Sequence, residues 1–90
     1  MGELRNDHAR LRYEMDERGL TSYASYRLQG DRLFVDYVFA PVALRGTGAS
    51  GRLMAALAAD ARDKGLKIIP ICGYAATWLQ RSAEFRDLVA

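Results

Sequence analysis

The sequence of 90 residues predicts an α+β fold, with a small mixed, mainly antiparallel sheet, one long helix and a short C-terminal helix. Three observations lead to this prediction. Residues 11–28 alternate apolar and polar side chains with period two in two segments, as half-buried strands do, and the stretch 32–40 is rich in β-prone residues. A glycine-rich loop over residues 46–51 follows. After the loop, the sequence has an apolar stripe with helical spacing and then a short β-prone segment over residues 67–71.

The chain has the size of one domain. Half of its residues are apolar and 27% are charged, which is typical of a globular chain rather than a disordered one. Residues 1–10 are polar and carry no periodic signal, so we expect a flexible lead-in there and a single domain over residues 11–90. Any ligand must therefore bind on the face or edge of one small sheet.

Three antiparallel strands are predicted ahead of the glycine-rich loop. Residues 11–16 place Leu11, Tyr13 and Met15 on one face, and residues 21–28 alternate again. Residues 17–19 form the turn between them, in which glycine can take positive φ. Residues 29–31 are a short hairpin connection. The stretch 32–40 is apolar on both faces, which places it inside the sheet.

A helix is expected from about residue 49 to residue 64. Pro41 ends the preceding strand because proline cannot donate a ladder hydrogen bond. The helix presents one apolar stripe, and Gly65 is placed to end it in the left-handed conformation. The stripe consists of Leu53, Met54, Leu57, Ala58 and Ala61.

The remaining segments complete a β-loop-α-β unit. Residues 67–71 predict a short buried strand, and Pro70 indicates an edge position or a bulge. The helical crossover favours a parallel arrangement with the strand over 32–40. A short helix over 74–81 and an amphipathic turn over 85–89 follow.

The glycine-rich loop points to phosphate binding. Glycines let the backbone approach a ligand closely, and the first N–H groups of a helix are unpaired and carry partial positive charge. Together these features bind phosphate groups, and Arg45 at the rim can add a charge-assisted hydrogen bond. The alternative is a structural turn that only lets the helix and the next strand pack.

Two well-known phosphate loops do not fit the segment. The P-loop requires Lys-Ser/Thr after its second glycine, but Arg52 and Leu53 follow Gly51 here. The dinucleotide fingerprint matches residues 46–51 by letter, yet residues 66–72 lack the acidic side chain that this fold places after the next strand. The antiparallel strands before the loop are also wrong for that fold.

Residues 45–50 resemble the R/Q-x-x-G-x-G/A pyrophosphate loop of the GNAT superfamily of acetyl-CoA-dependent N-acetyltransferases. The order of the predicted elements also matches that superfamily. Residues 41–89 look like the small single-domain GNAT-like acetyltransferases, whereas the N-terminal hairpin matches only in outline. The similarity is carried by APVALRGTGASGRL (40–53), ARDKGLKIIPICGY (61–74) and EFRDLV (84–89).

The sequence departs from that pattern at several positions. Ser50 stands where the family often has Gly or Ala, and Tyr37-Val38 replaces a His-Thr pair of the central strand. Gly73 replaces a proline, and Ser82-Ala83 replaces a His-Pro pair in the tail. Any chemistry that those histidines perform in relatives must be done without them here.

The resemblance implies that the protein binds acetyl-CoA and transfers its acetyl group to an unidentified amine acceptor. Backbone amides would polarise the thioester carbonyl. The central strand, over residues 32–40, would pair with the pantetheine arm through the backbone of Val38, Phe39 and Ala40. The pyrophosphate would be held by Arg45, Gly46, Thr47, Gly48, Ala49, Ser50 and Gly51. The alternative function is a CoA-binding or interaction module without robust catalysis.

Three side chains are candidates for catalysis. Cys72 follows the last strand, where the acyl group would arrive, so its thiolate could accept the acetyl group or only shape the pocket. Tyr74 and Tyr37 could protonate the leaving thiolate, or could be packing residues at the rim. Trp78 is expected to anchor the last helix, and Arg81 and Arg86 to be surface charges, either of which could touch the ribose phosphate.

Composition excludes several other functions. A net charge of +2 is too small for a nucleic-acid-binding domain. One cysteine excludes an intrachain disulfide framework, and a single additional histidine, His8, argues against a zinc site. No apolar run approaches the length of a membrane span, so we expect no membrane partner and a cytoplasmic location. The sequence leaves open whether a homodimer completes the acceptor pocket.

Overall fold

The computed structural model describes residues 3–90, which form one five-stranded sheet with two helices. Strands β1 to β4 pair antiparallel in chain order, and β5 pairs parallel with β4. The predicted α+β architecture is confirmed. Its elements are β1 (Leu4–Asp7), β2 (Arg12–Glu17), β3 (Leu20–Gln29), β4 (Arg32–Phe39), α1 (Ala49–Asp63), β5 (Lys67–Pro70) and α2 (Gly73–Arg81), with 3-10 turns at Val42–Leu44 and Arg86–Leu88.

Strand β1 corrects the expectation of a flexible lead-in over residues 1–10. Leu4–Asp7 pairs with β2, from Leu4 opposite Met15 to Asp7 opposite Arg12. Leu4 is the only apolar residue of this edge strand, and its other side chains make polar contacts: Arg5 donates to Asp16 Oδ2 at 2.7 Å, and Asn6 Oδ1 accepts from the Tyr26 hydroxyl at 2.6 Å. That is why a search for period two misses it. Residues 1 and 2 lie outside the described residues.

The two turns predicted within the antiparallel strands are present. The predicted position of Leu11, on the buried face of the first of these strands, is wrong. Arg18 (φ 54°) and Gly19 (φ 74°) form the two-residue connection of β2 and β3, and Gly30 (φ 58°) begins the next one. Leu11 was expected on the buried face with Tyr13. It precedes the strand in the left-handed conformation (φ 54°) and is 44% exposed, because the β1–β2 turn interrupts the alternation there.

Helix α1 covers one face of the sheet and forms the core with it. Gly65 (φ 70°) ends the helix as predicted: its N–H donates to Arg62 O at 3.1 Å, and the Leu66 N–H donates to Ala61 O at 2.8 Å, a Schellman motif. The buried cluster includes Tyr13, Met15, Ala24, Tyr26, Leu33, Val35, Leu53, Met54, Leu57, Ala58, Ala61, Ile68, Ala75, Leu79, Phe85 and Leu88. Within residues 3–90, no helix combines the length and the apolar character needed to cross a bilayer.

The pairing of β4 with β5 is short, and this creates an open edge. The two strands run together only from Arg32 opposite Lys67 to Val35 opposite Pro70. Pro70 is tolerated because β5 is an edge strand, as the sequence predicted. Beyond Val35, β4 continues to Phe39 while paired with β3 alone among the described residues.

The packing of β5 can be tested with two matched substitutions. Ile68→Val removes a fully buried methylene and should lower the free energy of unfolding by about 0.5–1.5 kcal/mol. Ile71→Val makes the same change at a side chain that is 57% exposed, and should stay within about 0.5 kcal/mol of the wild type. Urea denaturation measures both. Equal effects would contradict the placement of β5 in the core.

Candidate functional site

The glycine-rich loop turns sharply into α1 with the help of two left-handed glycines. Gly46 has φ 80°, and Gly48, the residue before the helix, has φ 89°. The Thr47 N–H donates to Leu44 O at 3.2 Å, which closes a turn over residues 44–47 around Gly46. Leu44 is fully buried and anchors the loop to the core. The positive φ values explain why glycine occupies these two positions.

The first turn of α1 presents free N–H groups to a cavity. The first helical hydrogen bond runs from the Arg52 N–H to Gly48 O at 3.0 Å, and Gly48 has no side chain to cap the helix. Within residues 3–90, the N–H groups of Ala49, Ser50 and Gly51 have no acceptor. The cavity beside them has a volume of about 370 Å³, lined by Leu44, Arg45, Gly46, Gly48, Ala49, Ser50, Gly51 and Tyr74. An anion in this cavity would meet the positive end of the helix dipole.

A second cavity joins the loop to the open edge of β4. Its volume is about 270 Å³, and it is lined by Tyr37, Val38, Phe39, Ala40, Arg45, Ser50 and Tyr74. Arg45, Ser50 and Tyr74 line both cavities. The structure therefore brings together nearly all of the residues that the sequence singled out.

Arg45 is held at the junction of the two cavities. Its Nε donates to Ala40 O at 3.0 Å, and its guanidinium carbon lies 5.9 Å from the centre of the Phe39 ring. Its two Nη groups make no hydrogen bond to any residue between 3 and 90. Anchored through one nitrogen, the guanidinium keeps its other donors for a bound anion.

Tyr74 and Tyr37 are the phenols that line the second cavity. Both rings are about half exposed. Burial raises the pKa of Tyr74, and the neighbouring Cys72 adds to this shift. Because a raised pKa favours the neutral phenol, Tyr74 stays protonated at neutral pH and can donate a proton or a hydrogen bond.

Cys72 is partly buried between β5 and α2. Its N–H and that of Ile71 both donate to Val35 O, at 3.0 and 2.9 Å, which fixes the chain where β5 ends. Of the described residues, those that line the two cavities do not include Cys72. The structure thus brings Tyr37 and Tyr74 to the cavities but not Cys72, whose role as a nucleophile stays a prediction.

A third cavity, which the sequence did not suggest, adjoins the loop through Tyr74. It has a volume of about 550 Å³ and is lined by Tyr74, Thr77, Trp78, Arg81 and Ser82. Trp78 packs against the core as expected, with its ring 6.2 Å from that of Phe85, and it also faces this cavity. The helical spacing of residues 74, 77, 78 and 81 was the signal available in the sequence.

The titratable side chains that line the first two cavities are those of Arg45, Tyr37 and Tyr74, so the described residues place no carboxylate or imidazole there. Within residues 3–90, no three His, Cys, Asp or Glu side chains gather into a set that could hold a metal ion. The site is therefore suited to binding an anion and orienting a ligand, with phenols as its proton donors.

The close contact between α1 and α2 can be tested at two glycines. Gly73→Ala meets open space and should stabilise the protein by about 0.4–1 kcal/mol through the unfolded state. Gly51→Ala should stabilise it less, because the new Cβ would lie 3.3 Å from Trp78 Nε1 and displace the indole. Thermal denaturation and the emission of Trp78, the only tryptophan of the chain, report both effects. Equal gains with unchanged emission would contradict this contact.

Comparisons with known proteins show the family and the fold. The sequence model of the family described as GCN5-related N-acetyl-transferase matches residues 12–88. The fold is similar to that of a GCN5-like protein from Staphylococcus aureus, solved by NMR in solution, with a TM-score of 0.70 and 21% identity over 98% of this chain and 87% of that chain. The sequence matches no curated protein. Because the family match spans most of its length, the chain belongs to the GCN5-related N-acetyltransferase family.

Proposed function

We propose that this protein binds acetyl-CoA and transfers its acetyl group to an amine acceptor. Membership of the family supports acyl transfer in general. The observation that carries the specific proposal is the junction of two cavities at Arg45, Ser50 and Tyr74, which makes an anion site continuous with an open strand edge. A ligand with a pyrophosphate at one point and an amide-containing arm beyond it fits such a site.

Each part of the ligand has a matching set of groups on the protein. The N–H groups at the start of α1 and the Nη groups of Arg45 would hold the pyrophosphate. The backbone of residues 38–40 would pair with the pantetheine amides as an added strand does. Trp78 and Arg81 line the adjoining cavity and would contact the nucleotide end.

The chain's own residues would assist transfer mainly by orientation and proton donation. Bound acetyl-CoA supplies the acyl group as a thioester, whose C–S bond breaks as the acceptor nitrogen bonds to the carbonyl carbon. Tyr74, kept neutral by its raised pKa, would protonate the departing sulfur, with Tyr37 as the other candidate. The proton of the amine would pass to water, because none of the described lining residues is a carboxylate or an imidazole. The tyrosine that protonated the sulfur would regain a proton from water before the next turnover.

The second candidate function is a CoA-binding or interaction module without robust catalysis. The absence of a carboxylate or imidazole base among the described lining residues favours it. The two functions share the binding site and differ in turnover. The amine acceptor, a homodimer and the cytoplasmic location stay predictions from the sequence.

Calorimetric titration with acetyl-CoA and free CoA tests the binding site. Arg45→Ala should weaken binding about 10- to 100-fold, the range expected for one hydrogen bond to a charged group. Ser50→Phe should abolish binding, because its ring would occupy the junction of both cavities. Two control variants at exposed positions outside the cavities should bind as the wild type does: Arg10→Ala removes an arginine, and Ala59→Phe introduces a phenylalanine.

Failure of the wild type to bind either ligand at millimolar concentration would overturn the proposal. Binding without acetyl transfer to any amine in a screen of peptide N-termini, lysines and polyamines would favour the second candidate function.

The role of Cys72 can be decided with Cys72→Ala. We expect this variant to keep its affinity for acetyl-CoA and most of its turnover, because Cys72 is not among the described residues that line the cavities. Tyr74→Phe should lower turnover while leaving affinity nearly unchanged. Mass spectrometry of the wild type after mixing with acetyl-CoA is the complementary measurement. An acetylated Cys72 that forms and decays at the rate of turnover would instead establish a covalent route.

A further inference from the structure

We propose that the Glu17–Arg52 pair positions the Thr47–Gly48 peptide, so that the Gly48 N–H faces the anion cavity. The orientation of this peptide is a property of the free protein. Its consequence for CoA affinity rests on the proposed function. Arg52 and Glu17 are positioning residues in this scheme, because they act on the loop rather than on a ligand.

The contacts of Arg52 link three parts of the fold. Its Nε and Nη2 donate to Glu17 Oε2 at 2.9 Å and Oε1 at 2.7 Å, a bidentate pair. Its Nη1 donates to the Thr47 carbonyl oxygen at 3.0 Å. The end of β2, the loop and the first turn of α1 are thereby joined through one planar guanidinium.

Peptide geometry turns this contact into an orientation for Gly48. The peptide bonds are trans, so the Thr47 carbonyl and the Gly48 N–H point in opposite directions. Arg52 holds the carbonyl on its own side of the loop, and the N–H must point away from Arg52. The lining of the anion cavity agrees with this, because it includes Gly46 and Gly48 but skips Thr47.

Arg52 lies on the far side of the loop from the anion cavity. It lines a separate cavity of about 540 Å³ with Asp16, Glu17 and Arg18, and it is not among the described residues around the anion cavity. The Glu17 side chain is only 11% exposed, and its hydrogen bonds from Arg52 lower its pKa, so it is a carboxylate at neutral pH. The pair is therefore charged and fixed behind the loop.

The guanidinium of Arg52 occupies the space that a side chain at position 48 would need. A Cβ on Gly48 would lie 2.8 Å from Arg52 Nη1, and φ is 89°. The guanidinium thus packs directly against the Gly48 backbone, in the space that a side chain would take. This contact holds the loop in the left-handed conformation at the position where the proposed donor is needed.

The chain supplies a matched control at the other end of α1. Arg62 also makes a bidentate pair, with Asp87, and its Nη2 donates to the backbone carbonyl of Glu84 at 2.7 Å. Arg62→Ala therefore removes the same kinds of hydrogen bond as Arg52→Ala, away from the loop, together with a contact of the guanidinium with the Phe85 ring. The described residues that line the anion cavity include none of Glu17, Arg52 and Arg62.

The experiment compares wild type, Arg52→Ala, Arg52→Lys, Glu17→Gln and Arg62→Ala in two measurements. In the ligand-free protein, the residual dipolar coupling of the Gly48 N–H reports the orientation of that bond, and relaxation reports its order. We expect both to change in the two Arg52 variants and in Glu17→Gln, and to stay unchanged in Arg62→Ala. Calorimetry with free CoA should show about tenfold weaker binding for Arg52→Ala and none of this loss for Arg62→Ala.

Arg52→Lys separates orientation from charge. Lysine keeps the positive charge but lacks the planar fork that bonds both partners at once, so we expect binding closer to Arg52→Ala than to wild type. Binding equal to the wild type would overturn the proposal in favour of a simple charge effect. An unchanged Gly48 coupling in Arg52→Ala would overturn it as well.

The two proposals fail separately. If the wild type binds no CoA, the proposed function is wrong. The residual dipolar coupling of the Gly48 N–H in the ligand-free protein still decides whether Glu17 and Arg52 position that peptide. If Arg52→Ala does not fold, as judged by circular dichroism, Arg52→Lys and Glu17→Gln provide the same comparison.

Discussion

The site depends on the place where β4 and β5 stop pairing. Val35 O accepts the N–H groups of both Ile71 and Cys72, directly after Pro70, which has no N–H to donate. The chain then leaves the sheet and enters α2, while β4 continues to Phe39. Without this divergence the backbone of residues 37–39 would be covered by β5, and a ligand could not reach it along that edge.

The loop and the helices are fixed relative to this edge by the core. Leu44 anchors one end of the loop, and the buried stripe of α1 holds the other end against the sheet. Gly46 and Gly48 permit the left-handed turns between these anchors. The free N–H groups of α1 and the open edge of β4 therefore meet at Arg45, in a position set by packing on both sides.

The local features of this arrangement were predictable from the sequence. Period two indicated β2 and β3, and a β-prone run that is apolar on both faces indicated β4. Gly65 ends α1 because glycine can adopt positive φ, and Pro70 lies in an edge strand because it has no N–H to donate. Strand β1 was missed because only one of its four residues, Leu4, is apolar, which leaves no hydrophobic period. The exposure of Leu11 was missed because a turn shifts the phase of the alternation.

The long-range contacts were not predictable in the same way. The pair Glu17–Arg52 joins residues 35 positions apart, and nothing in either segment indicates the other. The close approach of Trp78 to Gly51, where a Cβ would lie 3.3 Å from Trp78 Nε1, depends on how α2 packs against α1. Propensity and spacing identify the loop and its chemistry, whereas the contacts behind the loop appear only once the chain is folded.

The most direct test of the central claim is a titration of the ¹⁵N-labelled protein with free CoA, followed by amide NMR. We expect the largest shifts at the N–H groups of Gly48, Ala49, Ser50 and Gly51, together with the indole N–H of Trp78, and little change in the β2–β3 turn. Such a pattern would place the anion at the start of α1, as the free donors require. Shifts confined to other regions, or no shifts at millimolar CoA, would contradict the account and leave the glycine-rich loop as a structural turn.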